Sequence, residues 1–142
     1  MKSCCVIGLG YIGLPTAAIV ADSGFKVFGV DVNPEVVAKV NQGQVHIKEP
    51  NLQELVSKVV EKGLLSATHL PRQADVFLIA VPTPFKLTKN SVNSIPLPDI
   101  HYVLDAVRSI VSVLKPGDLI LLESTSPVGT TERVLELIIE ET

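Results

Sequence analysis

"CVIGLGYIGLP", residues 5–15, sets three glycines, Gly8, Gly10 and Gly13, behind a short apolar run and ahead of a segment with helical character. Such a triplet either turns the chain or cradles a phosphate, and its surroundings decide between the two. Residues 3–7 read as a short strand and residues 11–23 as a helix, with Pro15 in its first turn, where a missing N–H does little harm, and Gly24 as its stop. Residues 27–30 form a second strand that leads to Asp31, 23 residues after Gly8 and close to the roughly 20 at which a ribose-binding acid is expected. In this setting Gly8 permits the tight turn, Gly10 lets a pyrophosphate approach the backbone, and Gly13 lets the helix pack closely on the strand. The helix N-terminus adds unpaired N–H groups and the positive end of its dipole. The stretch therefore reads as a dinucleotide site in which Asp31 accepts the hydroxyls of an adenosine ribose. A loop acid or helix cap is the plainer reading of Asp31. Val32 and Asn33 follow without an arginine to neutralise a 2′-phosphate, which favours NAD over NADP.

The same alternation of periods continues along the chain. Asn33-Pro34 starts a short helix carrying Val36, Val37 and Val40 and stopped by Gly43. Asn51, with Glu54 three residues on, makes a capping-box-like start for a helix ended by Lys62-Gly63. A minor strand near residues 65–68 follows, and "DVFLIAV", residues 75–81, is apolar on both faces, as a parallel strand covered by helices should be. Asp99 caps a helix whose stripe includes Ile100, Val103, Val107, Ile110 and Leu114, and Pro116-Gly117 ends it. Residues 118–122 are the last strand, and a final helix capped by Thr130 or Thr131 runs to Thr142. The pattern predicts an α/β fold: an open, doubly wound, mostly parallel sheet with helices on both faces and ligands at the carboxyl ends of its strands. Residues 1–142 make one domain. The final helix carries no C-capping signal, so the chain reads as cut, with Val134, Leu135 and Ile138 left partly exposed.

Composition excludes other classes. Fifteen acidic against 12 basic residues, a net charge of −3, provide no basic field for nucleic acid or an anionic membrane. No apolar run reaches the ~18 residues of a membrane span, and Gly8, Gly10, Gly13 and Pro15 spoil a signal-peptide core, so a cytoplasmic location is expected. Cys4 and Cys5, the only cysteines, are adjacent on one strand and cannot pair in ordinary geometry. They read as small buried hydrophobes. His46, His69 and His101 share no ligand spacing and read as surface or helix-start residues, so no metal is expected.

Two strand-end loops remain. "VPTPFKLTKNSVNSIPLPD", residues 81–99, holds four of the ten prolines and no regular period, which is long for a connection. Val81, Pro82 and Thr83 lie nearest the strand end and join the candidate cofactor site, whereas Lys86 and Lys89 read as solvated. "ESTSPVGTTE", residues 123–132, is on composition alone a hydroxyl-rich turn into a helix.

The combination of "GLGYIGLPTA", Asp31, "HIKEPNL", "AVPTPF" and "ESTSPVGTTE" closely resembles the amino-terminal part of the UDP-glucose/UDP-mannosamine-uronate dehydrogenase family, over essentially the whole chain. The resemblance implies a Rossmann-type NAD domain with Tyr11 and Ile12 in the glycine loop, Asp31 on the ribose, and Thr83, Ser124 and Thr125 lining the cofactor. It also implies that Thr125 helps place a catalytic water. The implied reaction is a double NAD-dependent oxidation of a UDP-sugar C6 alcohol to the carboxylate, through an aldehyde and a cysteine-bound thioester. "AVPTPF" and "ESTSPVGTTE" look most like members acting on UDP-N-acetylmannosamine, ahead of UDP-N-acetylglucosamine and UDP-glucose. The family's nucleophilic cysteine, base lysine and most sugar-nucleotide contacts lie in central and UDP-binding domains outside these residues. The resemblance thus implies a homo-oligomeric parent and an inactive isolated domain. The loop from Phe85 to Asp99 departs from the family in being longer. Two other readings stand beside this one: a non-enzymatic NAD-sensing module, in which those two motifs would have no evident task, and the cofactor half of another hydroxy-acid dehydrogenase.

Overall fold

Five short apolar strands pair side by side, each needing cover on both faces, and the helices between them supply most of it. The computed structural model describes residues 2–86 and 96–142. Its elements are β1 Ser3–Ile7, α1 Gly13–Asp22, β2 Lys26–Val30, α2 Pro34–Asn41, α3 Leu52–Glu61, β3 Leu65–Thr68, β4 Val76–Ile79, α4 His101–Val111, β5 Leu119–Leu122 and α5 Thr130–Glu141. The sheet order is β3-β2-β1-β4-β5, and every pairing is parallel. The chain winds outward from β1 to β3, then returns to β1's other side to place β4. The topological switch point thus lies between β1 and β4, where a ligand of such a sheet is expected.

Alternation along the strands divides the core in two. Val6, Val27 and Leu78 pack under α1, α2 and α3 with Leu14, Val40 and Val56, while Cys5, Phe77 and Ile79 pack under α4 and α5. Val103, Val107 and Ile110, the buried stripe of α4, are each 0% exposed. At about 1.5–3 kcal/mol per buried aliphatic side chain, that stripe outweighs any cap on the helix. The link from β3 to β4 contains no helix. Residues 69–75 run as an irregular strap on the α4–α5 side, where Ala74 is buried and the Arg72 guanidinium stands 5.6 Å from the Phe28 ring centroid.

Several local expectations are corrected. Asn51 adopts a left-handed backbone, φ 63°, and its side chain makes no cap, because a capping residue needs an extended backbone to reach the first-turn amides. The capping box is therefore not formed. Gly129, φ 91°, precedes α5, and the Thr130 hydroxyl donates to the Pro127 carbonyl at 2.7 Å instead of capping the helix. Asp99 does take the amide of His101, at 3.0 Å, from one position outside the helix boundary. Val134, expected partly exposed, is 6% exposed because α5 turns it and Leu137 into the core beside α4. Leu135 and Ile139 carry the exposed apolar surface of α5, and Ile138 is half-buried. His46 is not simply a surface residue, since its Nδ1 is enclosed without a partner among the described residues.

Candidate dinucleotide-binding site

The glycine loop joins β1 to α1 at the switch point, and its three glycines are required for different reasons. Gly8 has φ 93°, and a Cβ there would lie 2.4 Å from the Ala80 carbonyl oxygen, so it serves both the turn and the approach to the end of β4. A Cβ on Gly13 would lie 1.8 Å from the Gly8 carbonyl oxygen, so any side chain pushes α1 off its own loop. Gly10 has neither constraint: its φ is not positive, and a Cβ there meets nothing within 4 Å. Among the described residues no backbone carbonyl takes the N–H groups of Gly10, Tyr11, Ile12 or Gly13, and the first helical bond runs from Leu14 to Gly10 at 3.1 Å. The first turn of α1 carries no acidic side chain and no side-chain cap. This end of the domain is thus an open set of amide donors at a helix N-terminus.

Asp31 closes the other side of the loop. One carboxylate oxygen accepts from the Leu9 amide at 3.0 Å and the other from the Asn33 amide at 2.9 Å. Both the loop-acid role and a binding role are therefore compatible with its geometry, because each oxygen has a further acceptor direction. Asn33 caps α2 by accepting from the Glu35 amide at 2.9 Å, as its pairing with Pro34 predicts.

The second half of the site follows β4 and β5. Ser124 accepts from the Val81 amide at 2.9 Å and donates to the Ile79 carbonyl at 3.3 Å, so its hydroxyl is used in clasping the two strand ends together. The Thr83 hydroxyl donates to the Thr125 carbonyl. Pro82 and Thr125 are exposed, and the Thr125 hydroxyl has no partner among the described residues. The structure thus gathers Gly8, Gly10, Tyr11, Ile12, Gly13 and Asp31 into one group and Val81, Pro82, Thr83, Ser124 and Thr125 into another, joined where Gly8 abuts Ala80. The ends of the 81–99 segment are tied by Lys86 donating to Leu97 at 2.8 Å and by a Phe85–Pro98 bridge, whereas Lys89 lies outside the described residues. A concavity of about 330 Å³ flanks the glycine loop between Tyr11 and Pro15 on one side and Pro50 and Leu52 on the other.

One contact escaped sequence reasoning: the Thr16 hydroxyl donates to the Glu123 carboxylate at 3.0 Å across 107 residues. Both residues sit inside quoted motifs, but nothing in local spacing pairs them. The cysteines contribute no nucleophile. Burial, and then the charges of Cys5 and Glu123, raise the Cys4 thiol from 9.0 to about 11, and burial likewise raises Cys5. No group of three or more metal-ligating side chains occurs among the described residues.

Against known proteins, the family model for the UDP-glucose/GDP-mannose dehydrogenase family, NAD binding domain, matches residues 2–142. The chain belongs to this family. UDP-N-acetyl-D-mannosamine dehydrogenase of Campylobacter jejuni is 53% identical over 137 residues, 96% of this chain and 32% of that protein. NDP-N-acetyl-D-galactosaminuronic acid dehydrogenase of Ralstonia nicotianae is 53% identical over 129 residues, 91% of this chain and 29% of that protein. The solved UDP-N-acetyl-mannosamine dehydrogenase of Staphylococcus aureus superposes with a TM-score of 0.88 at 40% identity, covering 98% of this chain and 32% of that one. The chain therefore spans less than a third of these relatives' lengths and corresponds to their Rossmann-type NAD-binding domain. Among the described residues no helix is long and apolar enough to cross a membrane.

Proposed function

We propose that this domain holds NAD along the carboxyl edge of its sheet and forms the cofactor wall of an enzyme oxidising the C6 hydroxyl of a UDP-sugar to the uronate with two NAD. The observation that carries the reading is Gly10. Gly8 and Gly13 are explained by the chain's own crowding, but nothing among the described residues forbids a side chain at position 10. A glycine there suits the approach of a ligand, and the amides of Gly10–Gly13, which no described carbonyl takes, suit that ligand being a pyrophosphate. Asp31 takes the ribose hydroxyls while holding the loop through Leu9. Val81, Pro82 and Thr83 line the nicotinamide half, Ser124 keeps the two strand ends in register, and the hydroxyl of Thr125 orients a water. NAD, when bound, supplies the hydride acceptor. On this reading the nucleophile and the base for the sugar come from the rest of the enzyme, in a homo-oligomeric and cytoplasmic parent.

Calorimetric titration tests the cofactor. NAD is expected to bind and NADP to bind far more weakly, since a carboxylate ~4 Å from a 2′-phosphate costs about 4 kcal/mol per unit charge at an effective dielectric of 20, before screening. Equal affinities would remove Asp31 from the ribose. For the sugar, UDP-N-acetylmannosamine is placed first on the names of relatives such as the Campylobacter enzyme. The equally similar Ralstonia protein makes an N-acetylgalactosamine nucleotide the rival. A substrate panel on the whole protein decides between them, because contacts to the differing sugar substituents set the preference.

A further inference from the structure

The loop that carries Thr125 is held to β4 by Ser124 and Thr83, but toward α1 the arrangement differs. Below the loop, α1 and β5 stand apart across a groove of about 240 Å³, lined by Val20 of α1, by Ser23 just past its end, and by Val76, Leu78, Leu119 and Leu121 of the sheet. Thr16, Val20 and Ser23 follow one another at helical spacing on the face of α1 turned to this groove. At its upper end the Thr16 hydroxyl reaches the Glu123 carboxylate at 3.0 Å, the one side-chain hydrogen bond between α1 and the end of β5 among the described residues.

Thr16 lies one turn into the helix whose N-terminus faces the pyrophosphate, and Glu123 lies two residues before Thr125. We infer that Thr16 and Glu123 are positioning residues: their hydrogen bond sets the distance between the amide donors of α1 and the Thr125 loop, and so the seat of the nicotinamide half of the cofactor. This rests on the NAD-binding reading. Neither residue need touch the cofactor; the pair acts through the loop.

ADP-ribose, which shares the adenosine and pyrophosphate of NAD but lacks nicotinamide, separates this role from a general structural one. In calorimetric titrations Thr16→Val is expected to weaken NAD about threefold to tenfold, the range of one net hydrogen bond, while leaving ADP-ribose within about twofold of the unaltered chain. Thr16→Ser, which keeps the hydroxyl, restores NAD affinity, and Glu123→Gln, which keeps an acceptor oxygen, stays close to the unaltered chain. Glu123→Ala matches Thr16→Val, and the double variant is no worse than either single one, because both remove the same bond. Equal losses for both ligands, or no loss for NAD in variants whose circular dichroism is unchanged, overturns the inference. An unaltered chain that binds neither ligand instead defeats the NAD reading on which it rests.

Discussion

On the β1–β2 side of the carboxyl edge the loops are pinned from within: Asp31 holds Leu9 and Asn33, Gly13 leaves no gap beneath Gly8, and α1 and α3 cover the sheet behind them. On the β4–β5 side α4 and α5 cover one face only. Leu119 and Leu121 remain 51% and 43% exposed on the other, and Thr125 is exposed, its hydroxyl without a partner among the described residues. The difference assigns separate tasks. On the proposed reading, a preformed half, which loses little conformational freedom on taking a ligand, is the one to hold the adenosine diphosphate part, whereas the half left open would need further groups to confine a reacting substrate.

The largest expected effect tests the open half directly. The 142-residue chain, saturated with NAD and UDP-N-acetylmannosamine, is expected to produce no NADH above a protein-free blank. Positioning of the reacting alcohol represents about 7–11 kcal/mol of barrier and a placed base a further ~10² to 10⁴ in rate, and the proposed function assigns both to the rest of the enzyme. Turnover lost on changing Thr125 would break the comparison by showing that the β4–β5 side is catalytically complete.

Two glycines sharpen it from the closed side. Gly13→Val drives a side chain into the Gly8 carbonyl, and because backbone must move, a stability loss of more than about 3 kcal/mol is expected in urea denaturation, with binding lost as a consequence. Gly10→Val faces open space, so its unfolding free energy should stay within about 0.5 kcal/mol of the unaltered chain's while NAD affinity falls at least about 100-fold. If both variants unfold alike, the loop is only a turn; if Gly10→Val binds normally, the pyrophosphate lies elsewhere.

What could be read beforehand divides along physical lines. The strands and helices follow from periodicity and from stops such as Gly24, Gly43 and Gly117, all of which adopt positive φ. The placement of the glycine loop after β1 and of Asp31 after β2 was legible because their spacing is fixed by one βαβ unit. Asn51 and Thr130 were misread because capping depends on a backbone angle that composition does not specify. The Thr16–Glu123 bond and the bare face of β5 were invisible for another reason: both depend on how distant elements stack, and "LILL", residues 119–122, reads the same whether one face is covered or two.

The smallest expected effect concerns the adjacent cysteines, which lie on opposite faces of β1. Cys5 lies under α4 and α5, while Cys4 lies on the α1 side and borders the groove between α1 and β5. Burial is the first cause of the raised Cys4 pKa, about 11 against 9.0, so below pH 9 the thiol is neutral in folded and unfolded chains alike and its full contribution to stability is present. Between pH 9 and 11 the unfolded chain gives up this proton first, the folded state binds more protons, and stability falls as pH rises. At 1.36 kcal/mol per pKa unit the loss across the window is on the order of 2 kcal/mol, with Cys5 adding in the same direction. Other groups titrate there too, so the measurement is the difference in urea stability between the unaltered chain and Cys4→Ala, followed from pH 8 to 11. That difference should shrink as pH rises. A constant difference would mean that the groove admits enough water to solvate a thiolate, and that the β4–β5 side is open down to the floor of the sheet.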